Sequence, residues 1–203
     1  MKNEEVEKKI SSYYDDLVSK YGHDPKSCDY GHANSQKVKF GVLSLPISEG
    51  KSILDIGCGF ADYYDYLKEK YKDIEYHGVD ISGKMIEEAK KLHPELNLEL
   101  KNVFETPPEK EYDIVTANGI FYLMGENSKS LMYDFIQKMY NMSKDLVIFN
   151  SLSTWADDQV DGEFYASPSD TLEFCKSITL WVTLRHDYHP RDFTIYIYKN
   201  RNI

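Results

Sequence analysis

The sequence predicts an α/β protein, a mostly parallel sheet covered by helices on both faces, with a helical cap ahead of it and an antiparallel hairpin behind. Three observations carry this. Strand-like apolar runs alternate with amphipathic helical patterns from Lys51 to Leu152, and repeated βα alternation buries a sheet on both faces. A glycine-rich turn, Gly57-Cys58-Gly59, stands between the first such strand and its helix, where a backbone must turn sharply. The chain has 203 residues, a length that suits one domain and removes roughly 70% of the extended-chain surface from water without disulfides or metals.

The elements follow in order. Residues 1–50 read as a cap: Val6, Ile10, Tyr13, Tyr14, Leu17, Val18 and Tyr21 recur at helical spacing and Gly22 ends the run,. A loop through Pro25 and Gly31 leads to a short helix with Gln36, Phe40 and Leu43 on one side, closed by Pro46 and Gly50,. Residues 51–152 are the βα core. Ser52 to Gly57 is a buried strand, followed by a helix from Asp62 to Tyr71 carrying Tyr63, Tyr66 and Leu67. A second strand ends at Asp80, and Met85, Ile86, Ala89 and Leu92 mark the next helix. Leu96 to Val103 and Tyr112 to Gly119 supply two more strands, Leu131 to Met142 a helix with Leu131, Phe135, Ile136 and Met139 inward, and Asp145 to Leu152 a fifth strand. In residues 153–203, Ser167, Pro168 and Asp170 open a capped helix,. The β-rich runs Ile178 to Leu184 and Phe193 to Lys199, joined by a turn-rich link, predict a hairpin at the sheet edge,.

Charge and cysteine usage exclude several classes. Acids outnumber bases 34 to 24, a net charge of −10. No Lys/Arg run exceeds pairs such as Lys8-Lys9 and Lys90-Lys91, so a nucleic-acid grip is disfavoured,. Cys28, Cys58 and Cys175 are widely spaced without a CxxC pair, which predicts free thiols and neither a zinc site nor any other metal. No apolar run reaches the ~18 residues of a membrane span, and Met1 to Ile10 lacks a signal-peptide core,. A cytoplasmic protein, monomer or homodimer, is expected.

The chemistry concentrates around the glycine loop. A dinucleotide fingerprint would place a third glycine at position 62, but Asp62 stands there and Asp55 adds a second carboxylate. Anions repel a pyrophosphate and suit a cation. S-adenosylmethionine, with a sulfonium, an ammonium and one carboxylate, therefore fits better than NAD. Asp80 can accept two hydrogen bonds from a ribose diol, or cap the following helix. Met85 can lie against an adenine face or fill the core. Asn102 can read the adenine edge or form a turn.

These residues resemble the class I S-adenosylmethionine-dependent methyltransferases over about Lys51 to Leu152. The specific part is Leu54-Asp55-Ile56-Gly57-Cys58-Gly59, then Val79-Asp80-Ile81-Ser82, then Tyr112-Asp113-Ile114-Val115. The resemblance implies a Rossmann-like three-layer sandwich with a seven-stranded sheet whose last strand is antiparallel. It implies that Asp55, Gly57 and Gly59 contact the methionine portion, Asp80 the ribose, and Asn102 with Val103 the adenine. Asn118 and Gly119 would border the sulfonium, while Cys58 and Ile81 complete the cofactor-binding set. Ala61 stands where a third glycine is common, at little cost if its backbone is ordinary, and Asn102 where aspartate is usual. No Asn-Pro-Pro-Tyr or Asp-Pro-Pro-Tyr run ends the fourth strand, which points away from nucleobase or glutamine amino groups.

The acceptor side is less defined. Tyr14 and Gln36 from the cap, Tyr122, Trp155 and His186 are candidate substrate contacts, and His186, Tyr14 and Tyr122 candidate proton acceptors, although each fits a core or solvated role as well. Arg185 and Arg191 could meet an acidic substrate, but Asp187 and Asp192 offer simpler partners. The expected function is methyl transfer to a small molecule with S-adenosylhomocysteine as product. Alternatives are a tRNA or protein acceptor, a non-catalytic binder, or a nicotinamide enzyme. The cap would close over the acceptor pocket as a lid, or else merely cover the sheet.

Overall fold

The computed structural model describes residues 3–30 and 33–201, so Gly31 of the expected cap loop lies outside the described residues. Seven strands form one sheet in the order β3-β2-β1-β4-β5-β7-β6. The chain groups into two compact units, Met1–Thr106 and Pro107–Ile203.

The first unit holds α1 (Asn3–Tyr21), a 3-10 turn (Pro25–Cys28), α2 (Ala33–Ser44), β1 (Ser52–Ile56), α3 (Asp62–Lys68), β2 (Glu75–Asp80), α4 (Gly83–Leu92) and β3 (Asn97–Leu100). Its strands are parallel, with Leu54 opposite His77 and Asp80 opposite Leu100. Ile53 and Leu54 are fully buried, as a continuous apolar run between two helical layers demands,. In the cap, Gln36, Phe40 and Leu43 are buried on α2, and the Phe40 ring packs on Tyr63 and Tyr66 of α3. The α1 stripe is narrower than its spacing predicts: Val18 is buried, whereas Tyr13 and Tyr21 are exposed. The helix expected to reach Tyr71 stops at Lys68. The Lys70 N–H makes a tighter i→i−3 bond to the Leu67 carbonyl, which the Tyr71 N–H shares, and the Tyr71 hydroxyl donates to the Ser44 carbonyl,.

The second unit holds β4 (Tyr112–Ala117), α5 (Ser128–Met142), β5 (Ser143–Leu152), α6 (Pro168–Ile178), β6 (Val182–Arg185) and β7 (Asp192–Tyr198). β4 runs parallel to β5, β7 antiparallel to β5, and β6 antiparallel to β7. The hairpin thus places β7 inside and leaves β6 as the edge. That order follows from burial, because six of the seven β7 residues are buried, on both faces of the strand, while β6 is only half-buried,. β6 starts later than the apolar run suggests, at Val182, with Leu180 and Trp181 exposed before it. The buried face of α5 is centred on Met132, Ile136 and Met139; Leu131 and Phe135 are half-buried at its margin. α6 begins as its sequence predicts, with Ser167 Oγ accepting from the Asp170 N–H at 3.2 Å,.

All three cysteines are free thiols. Among the described residues no cluster of ligating side chains could hold a metal ion, and no helix is long and apolar enough to cross a membrane.

Gly78 in β2 sits where no side chain fits. A Cβ there would come within 2.7 Å of Leu98 Cδ2 and 2.8 Å of Cys58 Sγ. Gly78→Ala should destabilise the chain by about 1–3 kcal/mol through overpacking, read as a lowered urea midpoint at unchanged slope.

Candidate active site

In the first unit the site grows out of the carboxyl ends of β1 and β2, where open α/β sheets place their ligands. Beyond β1, Gly57 and Gly59 adopt φ of +74° and +55°, a left-handed conformation that favours glycine,. The N–H groups of Gly57 and Cys58 donate to the Val79 carbonyl at 2.8 and 3.1 Å, and the Gly59 N–H donates to Asp80 Oδ2 at 2.9 Å. Ala61 does not meet the condition under which it would cost little. Its φ is +65°, a conformation that costs an L-residue roughly 1–2 kcal/mol, held here because the residue is fully buried at the start of α3.

Asp80 is not the cap of α4. Ser82 is, accepting the Met85 N–H at 3.2 Å. Asp80 Oδ1 instead accepts the Ser82 N–H at 2.8 Å. Burial raises the Asp80 carboxyl above its ordinary range, against the lowering effect of backbone N–H groups from Ser82, Gly59 and Ile81. A buried carboxylate in that balance gains from further donors. Asp55 is buried in β1 and accepts from the Tyr76 hydroxyl at 2.5 Å; burial, then the Asp55 charge, pushes the Tyr76 phenol up. The Cys58 and Cys28 thiols are also raised, first by burial and then by nearby aspartates.

Asp62 has two partners from the cap. His23 Nε2 lies 2.8 Å from Oδ1, and Gln36 Nε2 donates to Oδ2 at 3.1 Å. Gln36 therefore bonds to the glycine-loop end. Tyr14 likewise packs with Cys28 against a cluster of Val18, Phe60 and Met85. α1 carries two further carboxylates that sequence reasoning missed. Glu7 Oε2 accepts from Asn102 Nδ2 at 2.8 Å, while Asn102 Oδ1 accepts the Phe104 N–H at 3.0 Å, and Val103 is buried between them in sequence. Asp15 Oδ1 accepts from Ser82 Oγ at 2.6 Å and from the Lys84 N–H at 3.1 Å, at the start of α4. The cap helix thus lies along the second βα unit.

In the second unit, Asn118 and Gly119 follow β4, and a fully buried Asn150 in β5 holds both. Its Nδ2 donates to Asn118 Oδ1 at 2.6 Å and its Oδ1 accepts the Gly119 N–H at 2.7 Å. Asn150 was missed, although an amide inside a run as apolar as Leu146 to Phe149 is the signal that could have found it. Beyond β5, Ser153 Oγ accepts the Trp155 N–H at 3.1 Å and lies 2.7 Å from His186 Nε2. The Trp155 and His186 rings stand 5.1 Å apart. The Tyr122 carbonyl accepts the Phe164 N–H. Arg185 pairs with Asp187, as its sequence neighbours suggest. Arg191 differs from expectation: it donates to Glu163 Oε2 at 2.9 Å and to the Tyr165 hydroxyl, while Asp192 lies 2.7 Å from His189 Nδ1.

Residues 53–159 match the profile of a family described as a methyltransferase domain. The chain belongs to that family. Relatives of this methyltransferase include a Mycobacterium tuberculosis protein named as a methyltransferase, Rv1506c, 29% identical over 73% of this chain and 93% of its own length. Trans-aconitate 2-methyltransferase of Rhodopseudomonas palustris is 28% identical over 44% of this chain, but only 35% of its own length is covered. Among solved structures, magnesium protoporphyrin IX methyltransferase of Synechocystis with bound S-adenosylhomocysteine superposes with a TM-score of 0.68 at 13% identity, covering 96% of this chain and all (100%) of that one. The plantazolicin methyltransferase BamL, bound to S-adenosylhomocysteine and a substrate analogue, gives 0.62 at 15% identity, with 98% and 100% covered. The fold is therefore that of the Rossmann-like methyltransferases, whose methyl donor is S-adenosylmethionine.

The residues present fit that donor. A left-handed glycine loop brings backbone close to a ligand, and Asp80 keeps lone pairs beyond its backbone bonds for a diol,. Hydrogen bonds to a charged group contribute about 1.5–3 kcal/mol, so Asp80→Ala should weaken S-adenosylhomocysteine binding roughly ten- to a hundred-fold by calorimetry, with the far-UV circular dichroism of a folded chain and a lowered urea midpoint. Asn150→Ala strips partners from Asn118 and Gly119. It should cost about 1–3 kcal/mol of stability, measured by chemical denaturation.

Proposed function

We propose that this methyltransferase acts on a small-molecule acceptor. The observation that carries the reading is the charge balance: ten more acids than bases, where an RNA-binding enzyme needs a positive face to displace counterions from phosphates. The acceptors named for the neighbours, magnesium protoporphyrin IX and plantazolicin, support it, as does the trans-aconitate enzyme among the relatives.

In this reading the glycine loop, with Gly57, Cys58 and Gly59, takes the methionine portion beside Asp55, Asp80 takes the ribose diol, and Ile81, Met85, Asn102 and Val103 line the adenine. Asn118 and Gly119, fixed by Asn150, are assigned to the sulfonium on the family resemblance alone. The donor supplies an electrophilic methyl group on a sulfur that leaves as a neutral thioether. The protein's contribution is alignment and exclusion of water. An acceptor hydroxyl or amine must also lose a proton, for which His186, Tyr14 and Tyr122 are the candidates.

Incubation with labelled S-adenosylmethionine and a fractionated metabolite extract should label species that pass a small-pore membrane. Label confined to tRNA or protein, abolished by moderate salt in the tRNA case, would overturn the reading.

A further inference from the structure

Among the large aromatic surfaces of the second unit that packing does not consume, Trp155, just beyond the carboxyl end of β5, is 57% exposed. Its backbone N–H donates to Ser153 Oγ, the same hydroxyl meets His186 Nε2, and the imidazole stands 5.1 Å from the indole at an interplanar angle of 34°. Behind the imidazole, the fully buried Phe193 ring lies nearly parallel at 8° and 6.5 Å. A core ring thus supports an imidazole, which supports an indole with accessible surface, a ready-made stacking platform that loses little entropy on binding.

The charges around it narrow the ligand. Arg185 makes two bonds to Asp187 at 2.7 and 2.8 Å, Arg191 is held by Glu163, and His189 Nδ1 lies on Asp192. Both arginines that flank the link containing His186 therefore have a carboxylate partner already. A polycarboxylate or phosphonate would have to compete with those carboxylates, whereas an uncharged planar ring would disturb neither pair.

We propose that Trp155, His186 and Ser153 form the recognition platform for a planar, uncharged aromatic or heteroaromatic acceptor. The inference rests on the small-molecule reading above and names its substrate class. The indole supplies the stacking face; the buried Ser153 hydroxyl holds His186 through Nε2, and the other imidazole nitrogen, Nδ1, is the polar atom offered to a substituent on the acceptor.

The test uses the full chain in saturating S-adenosylhomocysteine, with every binding read by calorimetry. Indole-3-carboxaldehyde and 4-nitrobenzamide serve as planar uncharged probes, with tricarballylate and phosphonoacetate as anionic ones. Saturable binding of the planar probes alone is expected, weakened about ten-fold by Trp155→Ala and kept within about three-fold by Trp155→Phe, with S-adenosylhomocysteine affinity the same in all variants. Planar binding indifferent to Trp155→Ala, or no planar binding, would overturn the platform. If the anions bind instead, the substrate class fails while the small-molecule reading stands; if no probe binds and only tRNA or protein is methylated, both fail.

Discussion

The hydrogen bond from the Gly59 N–H to the buried Asp80 carboxylate is the constraint from which the first unit of this enzyme is built. It ties the loop after β1 to the end of β2, and it requires the positive φ values at Gly57 and Gly59 that aim the amide at the carboxylate. Asp80 reaches onward to the Ser82 N–H, Ser82 caps α4, and Asp15 of α1 accepts from the Ser82 hydroxyl and the first turn of α4. A single buried charge thus organises a loop, a helix start and the seating of the cap. Its burial is unfavourable by itself, and the surrounding backbone donors compensate only in part,.

Much of this was legible in the sequence because the features are local. Alternating apolar runs set β1 to β5, and the Ser167-Pro168 start of α6 needs only neighbouring residues. Asp80 was legible from its distance after the glycines. What stayed hidden depends on pairs far apart in the chain. Glu7 and Asn102 are separated by 95 residues and Asp15 and Ser82 by 67, and nothing in the periodicity of α1 tells which of its acids faces protein. The order of β6 and β7 was hidden for a similar reason: the runs mark two strands, but only the denser burial of β7 puts it inside. The cost of Ala61 was left open in the sequence because composition carries no backbone angle.

The cap changes the electrostatics that the sequence suggests. Asp62 looks like an uncompensated anion beside the glycine loop, yet His23 and Gln36 both reach it. The loop therefore presents a carboxylate whose orientation is fixed by the cap, and the cap is fastened at both ends, by Glu7 and Asp15 along α1 and by Gln36 on α2. Its hydrophobic cluster includes Met85 and Phe60, so the cap and the cofactor loop share one small core. A change in either is felt by the other, which blurs the line between covering the sheet and shaping the site.

The position of β7 between β5 and β6 has a consequence for how the chain is made. Synthesis delivers β6 before its neighbour exists, and β6 has no strand to join until residues Asp192–Tyr198 emerge. The first unit, whose strands pair with near neighbours in sequence, can settle while the ribosome is still translating; the second must wait with an apolar β5 edge uncovered,. During that interval the nascent protein offers a sticky strand to other chains, and the last stretch of β-structure to be translated withdraws it.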